Sequence, residues 1–164
     1  GNHVATRASA LGFKVIYFDP FIKNKKFKKI KSLNRLIKSS NILSIHMHYN
    51  RKFYQKFDAK TFKNLKKPSY FINTSRGEFV NEIDLIRCLK NKILSGAGLD
   101  VVSGEHLKNF RKKPSSNKLI NFKQKNKSIN LFITPKQGGS NKNAWELTEM
   151  LIIKKFINYE KNYI

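Results

Sequence analysis

Phe71-Ile72-Asn73-Thr74-Ser75-Arg76-Gly77-Glu78-Phe79-Val80 is the stretch from which the rest of the chain can be placed. Tyr70-Phe71-Ile72 reads as a short buried strand. It stops at small polar residues, and a helical pattern follows over residues 82–90. Arg76 therefore stands at the carboxyl end of a strand, the edge at which open parallel α/β sheets bind their ligands. Its guanidinium is a planar fork of donors that fits a carboxylate with two parallel hydrogen bonds. Alone, the pattern more often describes a solvated loop arginine, so its neighbours must decide.

Upstream, residues 2–11 place Val4, Ala8 and Leu11 on one helical face, with Gly12 as terminator. Residues 13–20, Phe-Lys-Val-Ile-Tyr-Phe-Asp-Pro, read as a strand ending in an acid. Helix, glycine, strand and terminal acid form the second half of a dinucleotide-binding βαβ unit. Asp19 would accept hydrogen bonds from the adenosine ribose and repel the extra phosphate of NADP, which favours NAD; the plainer reading is a turn start. Gly1 lies 18 residues before Asp19, where the third glycine of G-x-G-x-x-G allows close helix–strand packing. The first two glycines and their strand are expected to precede Gly1, so the chain reads as beginning inside its cofactor site.

The segment 31–40 predicts a short helix through Leu33, Leu36 and Ile37, followed by a buried strand over 42–46. His46 and His48 alternate like a metal pair, but no nearby carboxylate or cysteine completes it, and loop histidines at a ligand edge are the better reading; no metal site is expected. Residues 53–65 read as one helix. Downstream of the central stretch, a helix over 82–92 should turn Ile83, Ile86, Leu89 and Ile93 inward, with a strand over 94–101. Residues 106–128 read as the least structured region, with a short helix around Leu119, Ile120 and Phe122. A last strand covers 129–133. A long helix over 143–159, with Trp145, Leu147, Leu151, Ile152 and Phe156 as apolar members, closes the chain. This alternation predicts a parallel α/β sheet.

Composition narrows the classes. The 164 residues suffice for one domain with a core, and 40% hydrophobic content with 13 Phe supports a globular reading. No apolar run approaches the roughly 20 residues of a membrane span, and no leader argues for secretion. The single Cys88 reads as a buried thiol in a reducing compartment, the cytoplasm. Lys and Arg number 34 against 10 Asp and Glu, a net charge of +24. Such a balance can mark a nucleic-acid binder. Here the lysines are scattered and accompanied by Asn and Ile, and no zinc-finger, ribonucleoprotein or heptad pattern appears, so specific nucleic-acid binding is the weaker expectation.

Taken together, the Gly1-to-Asp19 spacing, Ser44-Ile45-His46, Asn73-Thr74-Ser75-Arg76-Gly77, Gly96-Ala97-Gly98-Leu99-Asp100-Val101 through Glu105, and Thr134-Pro135 before Gly138-Gly139 resemble the D-isomer-specific 2-hydroxyacid dehydrogenases, in particular the phosphoglycerate-dehydrogenase-like members. The resemblance runs over nearly the whole chain, in family order. It implies a Rossmann-type parallel sheet with helices on both faces and the first strand missing. Residues 1–164 would form an NAD-binding domain fragment, with 143–164 a C-terminal helix directed toward a missing substrate domain. The activity implied is hydride transfer between NAD(H) and a 2-hydroxy or 2-oxo acid, by a homodimer without a membrane anchor. Arg76 matches the arginine on the substrate carboxylate, and Glu105 the glutamate that holds the acid/base histidine and raises its pKa. Asp19 and Asp100 match the aspartates near the ribose and the nicotinamide carboxamide. Thr74 matches a backbone contact to the cofactor, and Gly1, His46 and Gly138 fall along the cofactor's path.

One departure touches the chemistry. The resemblance implies Thr-Pro-His, and this chain has Lys136 at the histidine position. Histidine suits proton delivery near neutral pH. A lysine ammonium, with an ordinary pKa near 10, is a poor proton shuttle. Two expectations follow: an inert Lys136–Glu105 ion pair with catalysis lost or reduced, or a desolvated Lys136 acting as the acid. The first also permits a non-enzymatic, NAD-responsive binding protein. As an isolated fragment the chain is expected to turn over no substrate, since nothing closes over the nicotinamide to exclude water.

Overall fold

The computed structural model describes residues 1–139 and 142–163, without every side chain of the last helix. Four parallel strands, β3 (Ile42–Ile45), β4 (Tyr70–Asn73), β5 (Gly96–Leu99) and β6 (Leu131–Ile133), lie side by side in chain order. Ile42 pairs with Tyr70, Tyr70 with Gly96, and Ala97 with Leu131, so all four carboxyl ends emerge along one edge. Before them, β1 (Ile16–Tyr17) and β2 (Lys28–Lys29) form a separate parallel pair. The helices are α1 (Asn2–Ala10), α2 (Leu33–Ser39), α3 (Ala59–Lys63), α4 (Glu82–Lys90), α5 (Lys108–Lys112), α6 (Lys118–Lys125) and α7 (Lys142–Tyr163).

Local chemistry sets the helix starts. Ser32, Asp58, Asn81 and Asn117 each accept a hydrogen bond from a first-turn amide of α2, α3, α4 and α6, satisfying donors that helix geometry leaves open. In α4 the first turn carries Glu82 and Asp84 and the last carries Arg87 and Lys90, the order that complements the helix dipole.

Alternation along the strands sends Leu43, Ile45, Phe71, Leu99 and Leu131 to one face, where they pack with Phe62, Leu85, Leu89 and Leu119 from the helices. Phe71 is fully buried between Phe57 and Phe62, with ring centroids 5.8 and 5.1 Å away, inside the range where tilted aromatic pairs attract. On the opposite face Ile42, Tyr70, Ile72 and Phe132 are exposed.

Several expectations are corrected. The strand over 13–20 shortens to two residues, paired with β2. Residues 53–65 do not form one helix. A 3-10 turn, Arg51–Phe53, is followed by Gln55 at φ +49, and the buried Phe57 bridges to Val80 before α3 begins. Of the residues expected inward around α4, Leu89 is buried beside Leu85 and Cys88, and Ile86 and Ile93 pack against the same core, while Ile83 is 51% exposed. Residues 106–128 are more ordered than expected, holding α5, a 3-10 turn and α6, because Leu119 is fully buried and anchors them. In α1 no residue is buried. The described apolar members of α7, Trp145, Leu147, Leu151 and Ile152, are exposed, and the Phe156 side chain lies outside the described residues.

Candidate functional site

The strands' carboxyl ends gather most of the residues singled out by sequence. β4 leads into Asn73, which is fully buried. Its Oδ1 accepts from the Ser75 amide (3.0 Å) and its Nδ2 donates to the Arg76 carbonyl (2.8 Å). Ser75 Oγ donates to the Ile45 carbonyl (2.9 Å), tying this loop to the end of β3. Arg76 is thus fixed by its backbone while its guanidinium remains exposed, donating to the Ser75 carbonyl at 2.7 Å. Among the described residues no carboxylate pairs with it. A cation held in place with its charge unspent is suited to an anionic ligand.

Gly77 explains why the next residue has no side chain. A Cβ there would fall 2.0 Å from the Val102 carbonyl carbon and 2.3 Å from the Ser103 nitrogen. The Arg-Gly step is pressed onto the turn that follows β5, and only glycine permits that approach.

After β5, Asp100 Oδ1 accepts from the Gln137 amide (2.8 Å) and from the Thr134 hydroxyl, and Oδ2 accepts from the Gly138 amide (2.9 Å). Burial alone would push this carboxyl's pKa up. The hydrogen bonds from Thr134, Gly138 and Gln137 and the nearby Lys136 charge outweigh it, and the pKa lies below the ordinary aspartate value. Asp100 therefore bolts the turn Gln137–Gly139 to the end of β5, and both oxygens are engaged in doing so.

Lys136 opens that turn with φ +55, a left-handed conformation uncommon for a residue with a side chain. Its Nζ donates to Glu105 Oε1 at 2.6 Å, and the Glu105 side chain is only 14% exposed. Glu105 Oε2 accepts from the Val102 amide at 3.3 Å. The pair matches the expected ion-pair geometry.

Thr74 and His46 lie along the same edge with Gly1 beside His46, while Asp19 follows a strand of the separate two-stranded sheet. Thr74 is exposed just beyond β4. His46 follows β3, its Nε2 sits 2.8 Å from Ser44 Oγ, and desolvation holds its pKa below the usual imidazole value. A Cβ on Gly1 would lie 3.4 Å from His46 Cβ, an ordinary contact, so this neighbour does not itself require glycine. Asp19 is exposed beyond β1. Its Oδ1 accepts from the amides of Phe21 and Ile22, each at 2.9 Å, which lowers its pKa. It caps its own turn, the plainer of its two readings. No group of three or more His, Cys, Asp or Glu suited to a metal occurs among the described residues, and no described helix is long and apolar enough to cross a membrane.

Sequence reasoning passed over Glu78, Glu82 and Asn117, which hold the turn bearing Glu105. The available signal was scarcity: in a chain with 10 acids, Glu78 and Glu82 both follow the Arg-Gly step.

The family model described as "D-isomer specific 2-hydroxyacid dehydrogenase, NAD binding domain" matches residues 1–135. A protein of Staphylococcus aureus (strain MRSA252) assigned to the 2-hydroxyacid dehydrogenases is 38% identical over 109 residues, covering 64% of this chain and 34% of that protein. A D-isomer specific 2-hydroxyacid dehydrogenase of Lactobacillus delbrueckii ssp. bulgaricus, solved with NAD, superposes with a TM-score of 0.78 at 28% identity, over 94% of this chain and 50% of its own. The D-lactate dehydrogenase of Aquifex aeolicus, solved with NAD and lactic acid, gives 0.79 at 25% identity over 100% and 52%. The chain thus spans about a third to a half of the relatives it matches.

Proposed function

The chain belongs to the D-isomer specific 2-hydroxyacid dehydrogenase family, as its NAD-binding domain, and from that premise we propose that it forms the nicotinamide side of a site for a D-2-hydroxy or 2-oxo acid. The observation that carries this is the convergence of Arg76, Asp100, Glu105 and Lys136 on the ends of β4, β5 and β6.

The residues suit the cofactor. Asp19 presents a low-pKa carboxylate beyond β1, where a ribose hydroxyl would donate to it. Gly1, His46, Thr74 and Gly138 would line the path from the ribose to the nicotinamide. When bound, NAD supplies or accepts the hydride. Arg76 would grip the acid's carboxylate with paired hydrogen bonds and polarise the adjacent carbonyl. The developing alkoxide oxygen needs a proton, and Lys136 stands where it must come from. Its ammonium, held on Glu105 at 2.6 Å, can stabilise the negative oxygen but is poorly matched to release a proton at neutral pH. This favours weak or absent turnover.

We take the working protein to be a cytoplasmic homodimer. Residues 1–164 would serve as the cofactor domain, and the apolar residues exposed on α7 support a helix directed toward a substrate domain. The same Lys136–Glu105 pair favours, as a second reading, a protein that senses NAD(H) without transforming it.

Titration of the chain with NADH, followed by nicotinamide fluorescence, tests the proposal. Saturable binding that weakens in Asp19→Ala is expected. Unsaturable binding, or binding indifferent to that substitution, would overturn it. Substrate-dependent NADH oxidation by a form carrying the substrate domain, equal with Lys136 and Lys136→His, would remove the sensing reading.

A further inference from the structure

Three successive backbone amides in the turn after β5 each donate to a different glutamate. Val102 N–H donates to Glu105 Oε2 at 3.3 Å, Ser103 N–H to Glu82 Oε1 at 2.7 Å, and Gly104 N–H to Glu78 Oε1 at 3.3 Å. Successive amides in a turn form a concavity that attracts anions. Here the anions are the protein's own, in a chain with 10 acids against 34 basic residues. Glu78 and Glu82 both come from the segment just after Arg76.

The Glu82 contact is the shortest of the three, and it is the most built-in. Its second oxygen, Oε2, accepts from Asn117 Nδ2 at 2.9 Å, and the same nitrogen donates to the Ser103 carbonyl at 3.2 Å. Asn117 Oδ1 meanwhile caps α6 through the amides of Leu119 and Ile120. Burial raises the Glu82 carboxyl's pKa, against the Ser103 and Asn117 hydrogen bonds that lower it, and Glu78 nearby raises it further. A desolvated carboxylate is retained here although an apolar residue would be easier to bury.

We infer that Glu82, assisted by Glu78, is a positioning residue that fixes the turn Val102–Gly104 and through it aims Glu105 at Lys136. The inference rests on the reading that Arg76, Glu105 and Lys136 face one substrate. It adds that the arginine and the acid/base pair are set by a single element: the segment 76–82 carries the arginine, presses Gly77 onto Val102 and holds Ser103 and Gly104 by their amides. Glu82 touches no reacting atom and acts only through Glu105.

The test uses the 164-residue chain, amide hydrogen exchange, and labelling of lysines by an amine-reactive ester mapped residue by residue. In Glu82→Ala the Ser103 and Gly104 amides should exchange roughly tenfold faster, the scale of one lost charge-assisted hydrogen bond. Lys136 should be labelled severalfold faster while other lysines keep their rates. Glu82→Gln keeps an acceptor for Ser103 but sets its –NH2 against Asn117 Nδ2, and should restore part of the protection. Leu85→Ala, in the same helix, serves as the control for lost stability alone and should not single out Lys136. Equal Lys136 labelling in Glu82→Ala and Leu85→Ala overturns the inference. If Glu82→Ala fails to fold, Glu78→Ala is decisive at Gly104, and unchanged Lys136 labelling there overturns it. NADH titration of the same proteins keeps the readings apart: a parent that binds no NADH refutes the proposed function and leaves the labelling result standing.

Discussion

Asp100 makes three hydrogen bonds with one carboxylate, to Thr134, Gln137 and Gly138. Asp100→Ala should lower stability by about 2 kcal/mol, the range for hydrogen bonds to a charged group, read from urea unfolding. The pH dependence has a definite sign. A carboxyl whose folded pKa lies below its ordinary 3.8 adds stability above that value and loses it as pH falls through the folded value. Asp100→Asn should therefore flatten the acid limb of the stability curve. Glu82 has the opposite sign: its raised folded pKa gives stability that is present below the ordinary 4.5 and lost as pH rises through the folded value. Asp100 was visible in the sequence as the acid after Gly-Leu. Its use as a bolt for the 137–139 turn was not, because that depends on β5 and β6 being neighbours.

At the scale of elements, the closest approach in the site is between the Arg-Gly step and the turn after β5. Gly77→Ala must displace the Val102–Ser103 peptide, and overpacking of this kind costs about 3 kcal/mol or more. A lowered melting temperature, with faster exchange at residues 102–104, is the expected result; a parent-like melting temperature would show that the two segments can part freely. The strand-loop-helix of residues 70–90 was legible because a short apolar run stops at small polar residues and a helical pattern follows. Residues 53–65 misled because their helical periodicity is interrupted by Gln55 at φ +49 and by Phe57, fully buried against Phe71 and Phe79. Tertiary packing there overrides propensity. The clamp on Glu105 was illegible for another reason: Glu82 and Asn117 are 35 positions apart, and nothing local marks them as partners.

For the whole molecule, an apolar sheet face bearing Ile42, Tyr70, Ile72 and Phe132 coexists with a net charge of +24. Like charge keeps copies apart at low ionic strength, and salt shortens its reach to roughly 3 Å at 1 M. Light scattering of the chain should therefore rise with added salt, first to a dimer if the proposed homodimer uses this face. Scattering that stays flat would show the face to be inert toward a second copy.

Cys88 belongs to this scale as well. It is 1% exposed in the last turn of α4, and burial, then the Asp84 charge, pushes its thiol pKa above the usual value. Thiolate, not thiol, reacts, so the folded chain should be silent toward alkylating reagents. As the chain's single cysteine, it can serve as an internal clock. Each modified thiol would record one opening of the core, and NADH that truly binds the folded form should slow the clock in proportion to its occupancy.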